Sequence, residues 1–389
     1  MIRHIVACLA LILFSLPAHA FDTKATAAYV IDQTTGTVLL AKNADTPLPP
    51  ASMSKLMTLY MMFEAIERGK DKGGLDLVET LPVSQHAMSY GGSTMFLDTT
   101  DRVSVEDLLR GIIVLSGNDA CAVVAEALSP DGTEYGFARL MTQRAQQLGM
   151  TNSTFANSNG WPQAGHLMSV RDLGLVANRI ITDFPQFYPL FSEREFLFDG
   201  RAPQNKSNRN PLLGLGIGAD GLKTGHTTEA GYGLVGSAKQ GNRRIIFVIS
   251  GLDSAAARAQ EAEAVVNWAF RQFTQRSLGT AGTRLAEAPV AMGMAKTVGL
   301  ELAEDLSVLT PVLAGKGIEG EVIYTGPFHA PIAKGDVLGE LVLDRGELPE
   351  VRVPLVASDA VAPGGFMVKV TAAAQYLLAR LNAGPQDAS

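Results

Sequence analysis

The stretch from Met53 to Ile66 is apolar almost throughout and contains neither Gly nor Pro, which predicts a helix buried on most of its surface. Any fold of this chain must wrap other elements around it. Pro49 and Pro50 lie just before, where the chain enters the helix and no backbone donor is needed. Ser52 therefore falls at the N-terminal end, where free N–H groups and the positive end of the dipole can receive a negative oxygen. Lys55 follows one turn later on the same face. A serine hydroxyl is a weak nucleophile until a base takes its proton, and a desolvated lysine can be that base. Ser-x-x-Lys by itself more often marks an N-cap followed by a solvated lysine, so the reactive reading needs support from elsewhere in the chain.

At 389 residues the chain has room for more than one domain. Its 39 acidic against 32 basic residues, with no Arg-rich stripe, argue against a nucleic-acid partner. Residues 1–20 read as a signal peptide: Ile5 to Leu16 is apolar and Ala18-His19-Ala20 gives the small-x-small cleavage pattern. The apolar run is short for a transmembrane span, so export with a mature start at Phe21 is expected. Cys8 leaves with that segment. Cys121 remains alone in an apolar run, and no disulfide is expected.

Two short runs around Gly36, Ala27 to Asp32 and Thr37 to Ala41, predict a β-hairpin. A loop-rich stretch from Gly69 to Leu97 includes a turn at Gly91-Gly92-Ser93-Thr94. Val103 to Leu115 is apolar at helical spacing with Ser104 as N-cap, and a second helix runs from Asp119 to Leu128. Ser116-Gly117-Asn118 is the tight connection between them. Further helices are expected over Glu134 to Leu148, from Ser169 to about Ile181, and from Ala255 to about Arg276. Asn152 to Gly165 reads as loop. Gly231 to Ala238 and Arg243 to Gly251, joined around Gly241-Asn242, predict an antiparallel pair.

Composition changes near Ala286. From there to Gly365 the β-type runs Val308 to Leu313, Glu321 to Tyr324, Val337 to Leu343 and Val351 to Val356 alternate with Gly and Pro, which predicts a small all-β domain. Phe366 to Leu381 regains helical spacing and is an amphipathic helix candidate, either docked on its own domain or lying in a membrane interface.

Three motifs now stand in order: Ser52-x-x-Lys55, Ser116-x-Asn118 and Lys223-Thr224-Gly225. The first opens a helix, the second lies in a turn between buried helices and the third leads into a strand. Together they form the pattern of serine-lysine acyl-transfer enzymes, and the conjunction is far more specific than any one member. Acyl transfer then suggests roles. Ser52 attacks and is acylated, with neutral Lys55 as base. Burial and the nearby positive Lys223 would both lower the Lys55 pKa. Ser116 relays a proton to the leaving amine, and Asn118 holds Lys55 and the substrate amide. Lys223 and Thr224 bind a substrate carboxylate, and Gly225 lets a substrate backbone lie against the strand edge. The N–H groups of Ser52 and His226 would hold the oxyanion.

With Pro50-Ala51-Ser52-Met53-Ser54-Lys55-Leu56-Met57-Thr58, Ser116-Gly117-Asn118-Asp119-Ala120 and Asp220 to Thr227, the chain resembles the low-molecular-mass penicillin-binding proteins, in particular the D-alanyl-D-alanine carboxypeptidases. The resemblance implies an α/β (α+β) penicillin-binding, β-lactamase-like transpeptidase domain with an antiparallel sheet and a helical cluster over residues 21–285. It implies a small all-β domain over 286–365 and an amphipathic anchor helix with its tail over 366–389. It further implies removal of the terminal D-Ala from peptidoglycan stem peptides, capture by β-lactam antibiotics, and a periplasmic location against the outer face of the inner membrane. Arg209 and Arg258 match family arginines near the carboxylate site. No cofactor is implied.

Other readings are weaker. A class A β-lactamase carries a Glu-x-x-Leu-Asn segment that is absent from the sequence. A D,D-endopeptidase would share the chemistry, although its relatives usually lack the second domain. A degenerate, non-catalytic wall-peptide scaffold would be favoured by loss of Ser52, Lys55 or Lys223, and all three are present. No Gly-x-Ser-x-Gly elbow appears, and His86, His166, His226 and His329 show no triad spacing. His166, near Asn157 and Asn159, reads as a structural loop histidine. There is no His-Glu-x-x-His or Cys cluster to hold a metal.

Overall fold

The computed structural model describes residues 21–312, 318–346, 348–366 and 370. The predicted signal peptide and nearly all of the predicted C-terminal helix lie outside the described residues.

The hairpin forms as expected, with β1 over Ala27–Asp32 paired to β2 over Thr37–Lys42. A 3-10 turn at Ala51–Ser54 leads directly into α1, Lys55–Arg68. The loop-rich stretch that follows contains β3 (Thr80–Pro82) and the short α2 (Gln85–Met88); β3 pairs with β4 (Arg102–Ser104). The helix expected from Val103 begins at α3, Val105–Arg110, where Ser104 Oγ accepts the Asp107 N–H as N-cap. It widens to a π turn over Gly111–Leu115 before Ser116 reverses the chain in a left-handed conformation, φ 63°. Next come α4 (Asn118–Leu128), α5 (Glu134–Gln147, capped by Thr133) and α6 (Val170–Asp183, capped by Ser169). Strands β5 (Ala219–Thr227), β6 (Gly231–Gln240) and β7 (Arg243–Leu252) form a meander, and α7 covers Ala255–Gln272.

These elements make a five-stranded antiparallel sheet in the order β2-β1-β7-β6-β5. One face packs α1 and α3 to α6 around a core that includes Leu56, Met57, Leu59, Phe63, Val123 and Val248. The other face packs α7 through Ala262, Val265, Val266 and Ala269. Burying each large side chain of this kind contributes about 1.5–3 kcal/mol, so α1, encircled on most sides, is fixed firmly in place. Strand β5 is left at the sheet edge beside the start of α1.

The helix predicted to reach Arg276 stops at Gln272, because Phe273–Gly279 is drawn into β8 by pairing with β11, Leu306–Pro311. Cross-strand partners outweigh local helical periodicity there. The β-rich part therefore starts at Phe273. It continues with β9 (Arg284–Ala291), β10 (Thr297–Leu302), β12 (Glu319–Ile323), β13 (Phe328–His329), β14 (Val337–Arg345) and β15 (Leu348–Ala357). The six strands order as β12-β14-β15-β10-β9-β13 around a small core of Val298, Leu300, Leu341 and Leu355. Among the described residues, no helix is long and apolar enough to cross a membrane.

Candidate active site

Ser52 lies inside the 3-10 turn, half-buried, and Lys55 is the first residue of α1 and fully buried. The one-turn spacing read from the sequence brings Lys55 Nζ to 2.8 Å from Ser52 Oγ. Nζ also donates to Asn118 Oδ1 at 2.7 Å and to the Asn159 carbonyl at 2.5 Å. Asn118 opens α4, and its amide orientation is set because Nδ2 donates to the Gly91 carbonyl at 2.8 Å, which leaves Oδ1 for the lysine. Its own N–H donates to the Ser93 carbonyl at 2.7 Å. The turn predicted at Gly91 to Thr94 is thus the shelf that holds Asn118.

Ser116 Oγ accepts from Lys223 Nζ at 2.9 Å, which joins the second motif to the third. Lys223, Thr224 and Gly225 lie within β5 rather than ahead of a strand, paired opposite Val235, Leu234 and Gly233 of β6. Gly225 was expected to make room for substrate at the strand edge. A Cβ there would instead meet the Pro50 carbonyl and Met53 Cγ, each at 3.0 Å, so the glycine lets β5 abut the Ser52 turn. Gly160, at φ +84°, does the same from the other side, where a Cβ would collide with the Ala51 carbonyl. The Ser52 turn is clamped between a strand and a loop.

Burial lowers the Lys55 pKa to about 8; the Arg209 cation adds to the effect, and the Asp119 and Glu134 carboxylates oppose it. Lys223 is also buried and pushed well below the ordinary lysine range, first by desolvation and then by the neighbouring Lys55. Arg209 donates to Ser93 Oγ at 2.8 Å and to the Leu115 carbonyl at 3.3 Å. Arg258, on α7, is buried with its guanidinium 5.7 Å from the Tyr232 ring centroid and its Nε without a hydrogen-bond partner. Lys55, Lys223, Arg209 and Arg258 are thus basic side chains close enough to act on one another, a field suited to an anionic group.

His226 is exposed at the end of β5 and stacks on Tyr232, ring centroids 3.8 Å apart. His166 is a structural residue, as read from the sequence: its Nδ1 accepts from the Ala156 N–H at 3.1 Å, and burial lowers its pKa to about 4. Asn159 is the member that sequence reasoning missed, because its carbonyl rather than its side chain meets Lys55. The Asn-rich character of Asn152 to Gly165 was the only signal there.

Comparison with known proteins agrees with this geometry. The family described as D-alanyl-D-alanine carboxypeptidase matches residues 15–254, and penicillin-binding protein 5, C-terminal domain, matches residues 273–363. The D-alanyl-D-alanine carboxypeptidase DacC of Escherichia coli K12 is 36% identical over 359 residues, covering 90% of this chain and 87% of the relative. The structure of penicillin-binding protein 5 from Haemophilus influenzae superposes with a TM-score of 0.74 at 31% identity, covering 88% of this chain and 98% of that one. Penicillin-binding protein D2 from Listeria monocytogenes, solved in an ampicillin-bound form, superposes with a TM-score of 0.56 at 30% identity, covering 64% of this chain and 98% of that one. A match over more than half of the sequence, with a full-length relative above 30% identity, places the chain in the D-alanyl-D-alanine carboxypeptidase family.

Proposed function

We propose that this chain is a serine-type D-Ala-D-Ala carboxypeptidase in which Ser52 forms the acyl-enzyme and Lys55 is its base. The observation that carries the reading is the surroundings of Lys55 Nζ: Ser52 Oγ at 2.8 Å and two acceptor-only oxygens, Asn118 Oδ1 and the Asn159 carbonyl. A neutral amine has two N–H donors for those acceptors and one lone pair for the serine proton. A pKa of about 8 keeps a usable fraction of that form near neutral pH.

The peptide adds as an extra strand beside β5, the last strand of the sheet. Its terminal carboxylate is drawn to Lys223, Thr224, Arg209 and Arg258. Ser52 Oγ bonds to the penultimate carbonyl carbon as Lys55 takes the proton, and the N–H groups of Ser52 and His226 hold the oxyanion. The C–N bond then breaks, the proton passes through Ser116 to the amine, and free D-Ala leaves. Water hydrolyses the Ser52 ester and releases the shortened stem peptide. A β-lactam enters the same path as far as the ester.

The chain is exported and works in the periplasm, held to the outer face of the inner membrane by its C-terminal segment. Phe366 and Val370, helical and exposed at the start of that segment, support the last point. Deleting residues 366–389 is expected to move the protein from membrane to soluble fractions with unchanged turnover of a soluble peptide; an unchanged membrane fraction contradicts the anchor. For the site, Ser52→Ala is expected to abolish labelling by a fluorescent penicillin, and a labelled Ser52→Ala protein contradicts the assignment.

A further inference from the structure

Beneath the lysine lies a carboxylate that none of the three motifs contains. Glu134, the first residue of α5, is buried, with 6% of its surface exposed. Its Oε1 accepts from the Ser158 N–H at 2.9 Å, Ser158 Oγ at 2.5 Å and Asn159 Nδ2 at 3.3 Å. Its Oε2 accepts from Tyr90 OH at 2.6 Å and meets His86 Nε2 at 2.7 Å. Five polar contacts on one side chain, all from groups able to donate, are the inventory of an anion rather than of a carboxylic acid. Asn159 is the bridge: its side chain is held by Glu134, and its carbonyl receives Lys55 Nζ.

We infer that Glu134 is a positioning residue that sets both the place and the proton affinity of Lys55, through Asn159 and through its own negative charge. The inference rests on Lys55 being the base for Ser52. Two effects follow from one side chain. Mechanically, Glu134 pins the Ser158-Asn159 backbone so that the Asn159 carbonyl meets the lysine. Electrostatically, its charge favours the protonated amine and limits how far burial lowers the Lys55 pKa. Without that charge the lysine would lose its proton more readily, and as a weaker base it would drive the serine less effectively.

The other charges around the lysine are known from the same structure. Asp119 and Cys121 face it from α4, Lys223 from β5, and Arg209 from the segment before β5. His166 faces it from the loop that carries Asn159. Around Glu134 itself stand His86 and Tyr90, from α2 and the residues just after it. The substitutions below leave all of these groups in place.

The test is the pH dependence of Ser52 acylation by a chromogenic cephalosporin, measured in the full chain and in Glu134→Gln and Glu134→Asp. Glutamine keeps an oxygen for Ser158 and Asn159 but loses the charge; aspartate keeps the charge on a shorter arm. The acid limb is expected to move to lower pH in Glu134→Gln, as loss of an opposite charge dictates, and to stay near its original place in Glu134→Asp. An unmoved limb in Glu134→Gln, or equal shifts in both variants, overturns the inference. Lys55→Arg separates the two levels of argument, because retained acylation there removes Lys55 as the base whatever Glu134 does.

Discussion

Each half of the molecule buries a cation against neutral acceptors, and the two have opposite consequences. In the first domain Lys55 meets a serine hydroxyl, an asparagine oxygen and a carbonyl. In the β-rich part Arg345, also buried, donates to Thr37 Oγ1 at 3.2 Å, the Leu309 carbonyl at 3.1 Å and the Pro349 carbonyl. Among the described residues neither forms a salt bridge. Arg345 cannot lose its proton under ordinary conditions, so burial leaves it a fixed fork that ties β14 to β11 and to the hairpin of the first domain. Lys55 can lose its proton, and burial lowers its pKa to about 8, which suits it to the base role proposed for it. Thus the same desolvation yields a fastening in one place and, in the proposed mechanism, a base in the other, and the choice between Lys and Arg decides which.

Exchanging the residue types breaks the contrast most sharply. Lys55→Arg keeps the charge yet removes the proposed base, and acylation by a β-lactam, measured per folded molecule, is expected to fall by about 10³-fold or more. Asn118→Ala frees the lysine from one of its two acceptors and empties the Gly91 shelf; a fall of about 10²-fold in kcat/KM is expected, read in the same acylation assay. In the unsubstituted enzyme the acylation rate should rise with pH and reach half its plateau near pH 8, because the reactive form is the deprotonated lysine and its proton leaves there. A flat profile between pH 6 and 9 would separate the pKa from the rate.

On the other side of the comparison, Arg345→Met should leave acylation per folded molecule unchanged. It should lower stability by about 1–3 kcal/mol, the cost of carbonyls left without a donor, measured by urea unfolding. The smallest effect belongs to Arg352, whose contacts with Glu340 and Glu350 lie in solvent. Arg352→Ala is expected to change neither melting temperature nor activity.

The contrast also shows what the sequence can disclose. Helices such as α5 and α6 were legible because caps at Thr133 and Ser169 and apolar spacing act locally. The meeting of Ser52, Lys55 and Asn118, and of Ser116 with Lys223, was legible because Ser-x-x-Lys, Ser-x-Asn and Lys-Thr-Gly are short-range patterns. Strand β8 was read as the end of α7, since only its partner β11, more than twenty residues onward, makes it a strand. Asn159 and Glu134 escaped for a related reason. One acts through a carbonyl, which every residue possesses, and the other looks in sequence like an ordinary acidic residue in the first turn of a helix. Their roles exist only once α5, the Asn157–Gly160 loop and α1 are packed together.

The central claim is that a buried, deprotonated lysine activates Ser52 toward a terminal D-Ala-D-Ala bond. Incubating the full chain with a pentapeptide ending in D-Ala-D-Ala, and assaying free D-Ala beside Ser52→Ala and Lys55→Arg controls, tests it most directly. The expected result is release of one D-Ala per peptide by the unsubstituted enzyme and none above background by either variant. Release that persists in Lys55→Arg, or its absence from an enzyme that a penicillin still labels, would contradict the account.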